Sequence, residues 1–521
     1  MHVAHHDVFV GERYEVSVLK QVYSIFVVAI LIGMLGCSQP EPAAEPSAQQ
    51  PLAQQVSAPA KPAEEPKAPE TPVVKKDLDY TNVLLITVDT LRADHLSCYG
   101  NPNPTTPNID AVAKEGVVFE HAFSPKGSTW PALATIQTGL YPVTHGVRYN
   151  GMTLDSKHET LAETLAPAGY TSAVFIANGG QQRWEGFEMR VILKDEPRDK
   201  GVSDAALDWL DKNADKKFYL WLHYMAPHGP YEPMKDYNKF TDKNYKGDLD
   251  GSYDRLTRAF VRQEKLSDAD TTYVRGLYDG EVAYNDAQIG RVLDKVMSLG
   301  IMDDTLVVIS ADHGEELGEH HGYWHHQASL YDGTLHVPMI FKLPGKVPPG
   351  VREALPVSLA DIAPTIVELI GVARPAAYEG NALNAVFNKQ PLERGPVIGE
   401  WGDKMLYIRT PEYKYISNPS GFEPPVKRER NMADGPETQR KKGDHTLPMK
   451  KQELYDIAKD PKEQQDISAS SAEVIAKLEA ELKSRYIDKY GWKLENKAEE
   501  LLQQQLDPET RKELENLGYV Q

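Results

Sequence analysis

Short and almost uninterrupted apolar runs recur along the chain from residue 82 onwards. They cover residues 83–88, 173–177, 218–222, 306–309, 337–341 and 397–398. Runs of this kind predict strands that are buried on both faces, as in a parallel sheet. Helical patterns separate the runs, so the chain predicts an α/β fold with a mostly parallel central sheet flanked by helices.

Two of these helical patterns are well marked. Residues 281–299 place Ile289, Val292, Leu293 and Val296 on one stripe, which is typical of a helix packed against a core. Residues 107–114 form a shorter helix that Pro107 opens and Gly116 stops.

The pattern changes after about residue 400. Residues 405–409 and 414–417 are typical of a hairpin, residues 453–456 of a further strand, and a helix begins near Ser471. We therefore predict a main domain over residues 79–400 and a smaller C-terminal α+β subdomain over residues 401–521, with a small antiparallel sheet and helices. A basic loop between the hairpin and the further strand is interpreted as solvated, with contact to a polyanion as the alternative.

The N-terminus has the pattern of an export signal. Lys20 precedes an apolar run over residues 22–35 that ends at Gly36-Cys37. The run is too short to span a bilayer as a helix but suits a signal-peptide core, so residues 1–36 are predicted to be a signal peptide. The residues before Lys20 do not form the basic region that begins a signal peptide, which favours a translation start near Val18 or Leu19. An uncleaved membrane anchor is the alternative.

The end of this segment resembles a bacterial lipoprotein signal, in which the cysteine is acylated. The resemblance implies lipidation at Cys37 and an exported protein tethered to a membrane of the cell envelope, on the periplasmic or cell-surface side. Residues 37–78 are rich in Pro, Ala, Glu, Gln and Ser, which predicts a disordered spacer between the anchor and the folded part.

Charge and cysteine content narrow the function classes. The net charge is −19 and the isoelectric point is about 5.4, which argues against a general nucleic-acid binder. The chain has 2 cysteines, which excludes a disulfide scaffold.

Polar residues suited to metal binding follow three of the predicted strands. Asp89 and Thr90 come after the run 83–88, Asp312 and His313 after the run 306–309, and His228 after the run 218–222. In open α/β sheets, ligands bind beyond the carboxyl ends of the strands. Carboxylates with an imidazole favour a divalent cation, here held by Asp89, Asp312 and His313. Taken alone, an Asp-His-Gly segment is more often a solvated turn.

A predicted helix entrance offers a hydroxyl group for chemistry at these strand ends. Pro131 suits a first helical turn and Gly139 a C-terminal cap, which places Thr129 at the entrance, where free N–H groups attract anions. Threonine needs activation, for example by a metal, before it acts as a nucleophile. His228 could then protonate the leaving oxygen. The alternatives are a threonine that only caps the helix and Ser128 as the nucleophile.

The chain resembles the sulfatase family of the alkaline phosphatase superfamily. The resemblance runs from Asn82 to about Asp460 and is carried, in order, by NVLLITVDTLRADHLSCYG, TTPNIDAVAKEGVVFEHAF, TGLYPVTHGV, HYMAPHGPYEP, VISADHGEELGEH, LYDGTLHVPMIF, KYI and ELYDIAKDP. It implies an alkaline-phosphatase-like central sheet flanked by helices, a small C-terminal sheet and one divalent metal ion, usually calcium.

The same resemblance implies roles for single residues. Asp89, Asp312 and His313 match the metal ligands, and His228 matches the histidine of the leaving group. His326 takes the place of a Lys or His near the anion, with His325 as the alternative.

Three departures from the family pattern bear on the chemistry. Thr129 stands where the family has the cysteine or serine that becomes formylglycine, so no formylglycine is expected, and Leu133 stands where it has an arginine. Thr90 replaces a second acidic metal ligand and is at best a weak one. The Gly-Lys-x-His that grips sulfate is absent around Asn178-Gly179-Gly180-Gln181.

The sequence therefore predicts a metal-dependent hydrolase of sulfate or phosphate esters, acting on an anionic small molecule or glycan. A phosphoester or phosphonate hydrolase or phospho-group transferase is the alternative, because relatives with Ser or Thr handle such groups. A non-catalytic, lipid-anchored binder of sulfated or phosphorylated glycans is the alternative of another class. Calcium is expected by family analogy, but the lost carboxylate favours manganese or zinc.

Overall fold

The computed structural model describes residues 80–177, 184–194, 196–426 and 446–493. The strands within these residues are, in chain order, β1 (Asn82–Val88), β2 (Val117–Phe119), β3 (Ala122–Phe123), β4 (Thr171–Ile176), β5 (Met189–Ile192), β6 (Phe218–Tyr224), β7 (Thr305–Ala311), β8 (Glu316–Leu317), β9 (Trp324–His325), β10 (His336–Val337), β11 (Met339–Lys342), β12 (Val351–Glu353), β13 (Val357–Ser358), β14 (Val397–Trp401), β15 (Met405–Arg409), β16 (Tyr413–Ser417) and β17 (Gln452–Asp456).

The helices of the same residues vary widely in length. They are α1 (Pro107–Lys114), α2 (Thr129–Thr138), α3 (Pro142–His145), α4 (Leu161–Leu165), α5 (Arg198–Asn213), α6 (Tyr253–Val261), α7 (Asp268–Ser298), α8 (Asp332–Leu335), α9 (Ile362–Leu369), α10 (Asn384–Phe387), α11 (Ala472–Leu482) and α12 (Asp488–Tyr490).

A mostly parallel sheet of eight strands forms the centre of the molecule. Its order is β12-β2-β11-β7-β1-β6-β4-β5, and the strands β7, β1, β6, β4 and β5 are parallel to one another. Strand β11 runs antiparallel to both β7 and β2. Every residue of β1, β6 and β7 is buried, which confirms that the apolar runs predict strands covered on both faces.

Two groups of helices cover this sheet. Helix α7 packs against α5 and α1, and helix α2 packs against α4 and α9. Helix α7 begins at Asp268, well before the predicted residue 281, because the side chain of Ser267 accepts a hydrogen bond from the backbone of Asp270 in a capping box. This start signal was missed because the stretch it opens is polar.

The role predicted for Gly116 is wrong. Helix α1 ends at Lys114 and is capped by Glu115, and Gly116 does not have a left-handed backbone conformation. A Cβ atom at Gly116 would lie 2.2 Å from the carbonyl oxygen of Phe341 on β11. The glycine is therefore required by the close approach of a strand and not by helix termination.

The C-terminal subdomain is built on a second sheet, in the order β14-β15-β16-β17, with every pair antiparallel. Helix α11 covers it through Ile475, Leu478 and Leu482, as its apolar stripe predicts. Strand β14 belongs to this sheet, so the predicted boundary at residue 400 falls within a strand. The run at 397–398 was assigned to the main domain because a short apolar strand does not show which sheet it joins.

Several predictions lie outside the described residues. They are the signal peptide, the spacer, lipidation at Cys37, the segment around Asn178-Gly179-Gly180-Gln181 and most of the basic loop. No helix in the described part of the chain is both long and apolar enough to cross a membrane.

Candidate active site

Two neighbouring strands bring the predicted carboxylates together. In the register of β1 and β7, Val88 lies opposite Ala311, so Asp89 and Asp312 are the next residues on the same sheet edge. Both side chains are fully buried. The backbone N–H groups of Thr90 and His313 donate to Asp312 Oδ1 at 3.2 and 2.8 Å. The sheet topology therefore predicts and positions this pair.

The imidazole of His313 completes a three-residue cluster. Its Nε2 lies 3.8 Å from Asp89 Oδ1 and 3.6 Å from Asp312 Oδ2, and the ligand atoms of the three residues lie within 4.8 Å of one another. His313 Nδ1 lies 2.9 Å from the Gly314 carbonyl oxygen, which can only accept, so Nδ1 carries the proton in the neutral ring. The lone pair of Nε2 then faces two carboxylates.

The electrostatics of this pair favour a cation. Burial opposes ionisation of Asp89, but the charges of His228 and His313 and the hydrogen bond of His223 hold the pKa of Asp89 below its usual range. Burial and the charge of Asp89 raise the pKa of Asp312 well above its usual range. Asp312 Oδ2 also has no hydrogen-bond partner among the residues that the structure describes. The donor set fits one divalent metal ion, which would allow both carboxyl groups to ionise.

Thr90, whose backbone N–H contacts Asp312, has a strained backbone. Its φ angle is 56°, in the left-handed region that a β-branched residue rarely adopts, and the hydroxyl group of Tyr278 donates to its carbonyl oxygen at 2.7 Å. Thr90 Oγ1 is buried and has no hydrogen-bond partner in the described part of the chain. A hydroxyl oxygen here can add to a metal site only as a weak, neutral ligand.

Thr129, the first residue of α2, lies against this three-residue cluster. Its Oγ1 is 3.3 Å from His313 Nε2, and the residue is fully buried. Ser128 is the N-cap of the helix, and its side chain makes no capping hydrogen bond. Of the two candidate hydroxyl groups, the structure therefore places that of Thr129 at the cluster.

Two further histidines, His326 and His228, continue from the ring of His313. The His326 ring lies 4.5 Å from that of His313 and 5.0 Å from that of His228, measured between centroids. His326 Nδ1 is 2.8 Å from Glu315 Oε1. Burial raises the pKa of Glu315 to about 7, although the charge of His228 opposes the shift. The carboxylate fixes the orientation of the His326 ring.

His228 is held by its own loop and by a neighbouring helix. Its Nδ1 lies 2.8 Å from the Gly229 carbonyl oxygen and 3.0 Å from the hydroxyl oxygen of Tyr253 on α6. His325, the alternative to His326, packs its ring 4.5 Å from that of Tyr253. Among the predicted histidines, His228, His313 and His326 have neighbouring rings, and His325 lies behind Tyr253.

Sequence reasoning missed several residues of this site. His223 Nε2 lies 3.8 Å from Asp89 Oδ2, and its Nδ1 lies 2.9 Å from Thr87 Oγ1. The signal for His223 was a polar residue near the end of an otherwise apolar strand. Glu315 lies within the VISADHGEELGEH motif, but no sequence signal pairs it with His326. Tyr253 begins α6, and no sequence signal places that helix beside His228.

Comparison with known proteins decides the family. A family model for sulfatases matches residues 81–372, more than half of the chain. The chain belongs to the sulfatase family. A model of the C-terminal region of N-sulphoglucosamine sulphohydrolase matches residues 318–488. The predicted family and the prediction of a hydrolase of this family are confirmed.

Individual relatives agree with this assignment. An ulvan-active sulfatase of Formosa agariphila is 26% identical over 459 residues, which cover 79% of this chain and 84% of the relative. A solved structure in complex with its substrate D-glucosamine-2-N,6-O-disulfate has a TM-score of 0.63 at 20% identity, covering 79% of this chain and 98% of the other. The phosphonate monoester hydrolase of Agrobacterium radiobacter has a TM-score of 0.60 at 22% identity, covering 78% and 95%. These two likenesses confirm the predicted fold.

Within this sulfatase-family fold, the position that matches the family arginine is closed to substrate. Leu133 lies in α2 and is buried in the main core. An apolar side chain there cannot donate to an anion, so other groups must neutralise the charge of a bound ester.

Proposed function

We propose that this protein is a metal-dependent hydrolase of sulfate or phosphate esters with Thr129 as its nucleophile. The observation that carries the proposal is the position of Thr129 Oγ1, 3.3 Å from His313 Nε2 and next to two buried carboxylates. A helix N-cap alone does not require such a position, because a capping hydroxyl group needs only the N–H groups of its own helix.

Asp89, Asp312 and His313 would hold one divalent cation in this proposal, with Thr90 as a weak fourth ligand. Such an ion supplies positive charge that favours the deprotonated hydroxyl group and offsets charge on the ester oxygens. Calcium follows from the family, whereas a set with an imidazole and only two carboxylates suits manganese or zinc. Metal analysis of protein purified without chelator, and again after Asp312→Ala, identifies the ion.

The side chains divide the remaining chemistry. Thr129 Oγ1 gives up its proton to solvent and forms a bond to sulfur or phosphorus as the bond to the leaving oxygen breaks. His228 donates a proton from Nε2 to the leaving oxygen, while its Nδ1 faces the Gly229 carbonyl oxygen. Water then cleaves the threonine ester, and His326 lies beside the anion with its orientation set by Glu315.

Three similar proteins support different anions. The disulfated glucosamine substrate and the ulvan-active sulfatase favour sulfated glycans, and we propose these as the substrate class. The phosphonate monoester hydrolase supports the second candidate, phosphoester or phosphonate cleavage, because a threonine ester cannot collapse as a formylglycine hydrate does. The buried Leu133 favours the binder of another class, since the matching arginine is lost.

An assay on three aryl esters separates these proposals. The purified protein is tested on aryl sulfate, aryl phosphate and aryl phosphonate with calcium, manganese or zinc, beside Thr129→Ala and the neighbouring Ser128→Ala. We expect Thr129→Ala to lower kcat by a factor on the order of 10³ or more, and Ser128→Ala to change it by less than about tenfold. Turnover no higher than that of Thr129→Ala on all three esters would favour the binder.

We also propose that the protein is exported and tethered through an acylated Cys37, on the strength of the apolar run that ends at Gly36-Cys37. Acyl chains anchor a protein far more firmly in combination than singly. Cys37→Ala should leave the protein in the soluble exported fraction or unprocessed. Normal processing and unchanged membrane association would contradict lipidation.

A further inference from the structure

A second polar cluster adjoins the entrance of α2, on the side of the C-terminal sheet. The carbonyl oxygen of Lys126 accepts a hydrogen bond from Ser128 N at 2.9 Å, and Asn150 Oδ1 accepts one from Trp130 N at 2.9 Å. The backbone of Glu400, in β14, donates to Pro125 O at 2.8 Å. Lys126 and Asn150 are therefore bonded to the two residues that flank Thr129.

Lys126 is a buried cation between aromatic rings. The residue is 3% exposed, and its Nζ lies 4.3 Å from the ring centre of Tyr149 and 5.4 Å from that of Trp401. Within the ranges that the structure describes, Nζ has neither a hydrogen-bond partner nor an ion pair. A buried ammonium group without a carboxylate costs free energy, so its retention needs a reason other than folding.

Glu400, the acidic residue with the largest effect on the pKa of Lys126, does not supply that partner. Glu400 has both carboxylate oxygens engaged, by Arg148 Nε at 2.6 Å and by the Tyr486 hydroxyl group at 2.7 Å. Burial lowers the pKa of Lys126 to about 7, although Glu400 opposes the shift. The acid satisfies other groups and leaves the lysine without a contacting anion.

The other unmatched groups of the cluster are also donors. Asn150 Nδ2 and Arg148 Nη2 are buried and have no hydrogen-bond partner among the described residues. The groups without a partner on Lys126, Arg148 and Asn150 are all N–H donors, which suit an anion. Tyr149 and Trp401 are partly exposed, and such rings pack well against the apolar face of a sugar.

A backbone contact connects this cluster to the candidate active site. Trp401 Nε1 donates to the carbonyl oxygen of Gln327, the residue after His326. The cluster thus lies between the nucleophile helix and the segment that carries His326.

We propose that Lys126 and Asn150, walled by Tyr149 and Trp401, form a subsite for a second anionic group of the substrate, such as the carboxylate of a uronate next to the sulfated sugar. The proposal rests on the proposed function, because it places the scissile ester at Thr129. It narrows the substrate class to glycans that carry two anionic groups on neighbouring positions or residues.

The test compares two glycans that differ only in the second anion. Chondroitin sulfate tetrasaccharides carry sulfate and carboxylate groups, and carboxyl reduction removes the carboxylates alone. Binding of both forms is measured by calorimetry with the full-length Thr129→Ala protein, with and without Lys126→Met. Lys404→Met is the matched control, because Lys404 lies in the same region but over Phe422 and beside Asp403.

We expect Thr129→Ala to bind the carboxylated form about tenfold or more tightly, since a charge-assisted hydrogen bond is worth about that factor. Adding Lys126→Met should abolish this preference, and adding Lys404→Met should keep it. Equal binding of the two forms, a preference that survives Lys126→Met, or no binding of either form would overturn the subsite.

Turnover of aryl sulfate by the wild-type protein separates this proposal from the proposed function. Aryl sulfate needs no second anion. Turnover of aryl sulfate, together with equal binding of the carboxylated and reduced glycans, would contradict the subsite but not the proposed hydrolase. A Lys126-dependent preference for the carboxylated glycan, without turnover of aryl sulfate, would support the subsite and contradict the proposed hydrolase.

Discussion

Two buried lysines in this molecule have opposite surroundings. Lys414, on β16, is fully buried, and its Nζ lies 2.6 Å from Asp332 Oδ1 and 2.7 Å from Glu463 Oε1. Lys126 is almost as buried, but its Nζ lies over two aromatic rings and has no hydrogen-bond partner among the described residues. Lys414 also lies over a ring, that of Tyr407, so the carboxylates make the difference.

The contrast separates a cation that holds the fold from one that serves the site. Lys414 joins the C-terminal sheet to α8, which begins at Asp332, and its charge is neutralised there. Lys126 adjoins the nucleophile helix, and its charge remains available to a ligand. Buried charges without a protein partner are therefore more informative about function than buried ion pairs.

Removing the paired lysine should have the largest effect on stability. Lys414→Met leaves the buried Glu463 and the partly buried Asp332 without their lysine, so we expect a loss of about 3–5 kcal/mol in the free energy of unfolding. Denaturant unfolding measures this loss. The control is Lys450→Met, whose exposed ion pair with Asp466 at 2.7 Å should contribute less than about 1 kcal/mol. Equal losses in the two variants would remove the contrast.

A buried carboxylate held only by amides gives the second case. Asp199 accepts hydrogen bonds from Met225 N at 2.7 Å and Ala226 N at 3.0 Å, in the loop before His228. Burial raises its pKa from 3.8 to about 6, despite those hydrogen bonds. The folded protein therefore keeps this proton at a pH where the unfolded chain has lost it, and this contribution to stability disappears as the pH rises through that window.

The Asp199→Asn variant lacks this titration. A shift of about two pKa units corresponds to about 3 kcal/mol. Between about pH 4 and pH 6, the free energy of unfolding of the wild type should fall by up to that amount relative to the variant. Unfolding curves at several pH values test this. A variant that loses stability in parallel with the wild type would show that Asp199 is ionised throughout.

Removing the unpaired lysine should have the smallest effect on stability. Lys126→Met replaces a buried ammonium group by an apolar side chain of similar length, so we expect the free energy of unfolding to stay constant or rise by about 1 kcal/mol. Thermal unfolding measures the change. A loss of more than about 1 kcal/mol would mean that the aromatic contacts of Lys126 serve the fold.

The two sides of the candidate site were not equally predictable from the sequence. Asp89 and Asp312 directly follow apolar runs, and parallel register alone brings them together. Thr129 was predicted from Pro131 and Gly139, which are strong local signals of the two helix ends. Roles on this side also came from the family resemblance. The family model confirms the family, and the residue roles stay predictions.

The other side is assembled from segments without periodicity. Lys126 and Asn150 lie in loops, and no pattern predicts that both will be buried or that Glu400 will be engaged elsewhere. Similarly, the run at 397–398 predicts a strand but not the sheet that it joins. Long-range pairing decided these features, and it leaves no local trace in the sequence.

Thr129 is the proposed nucleophile, and trapping an ester on its side chain tests this role directly. The wild-type protein is mixed with excess aryl sulfate or aryl phosphate, quenched rapidly with acid and mapped by peptide mass spectrometry, with Thr129→Ala as the control. We expect one sulfo or phospho group on Thr129, formed within the first turnover and absent from the control. Turnover with an unmodified Thr129, or with the group on Ser128, would contradict it.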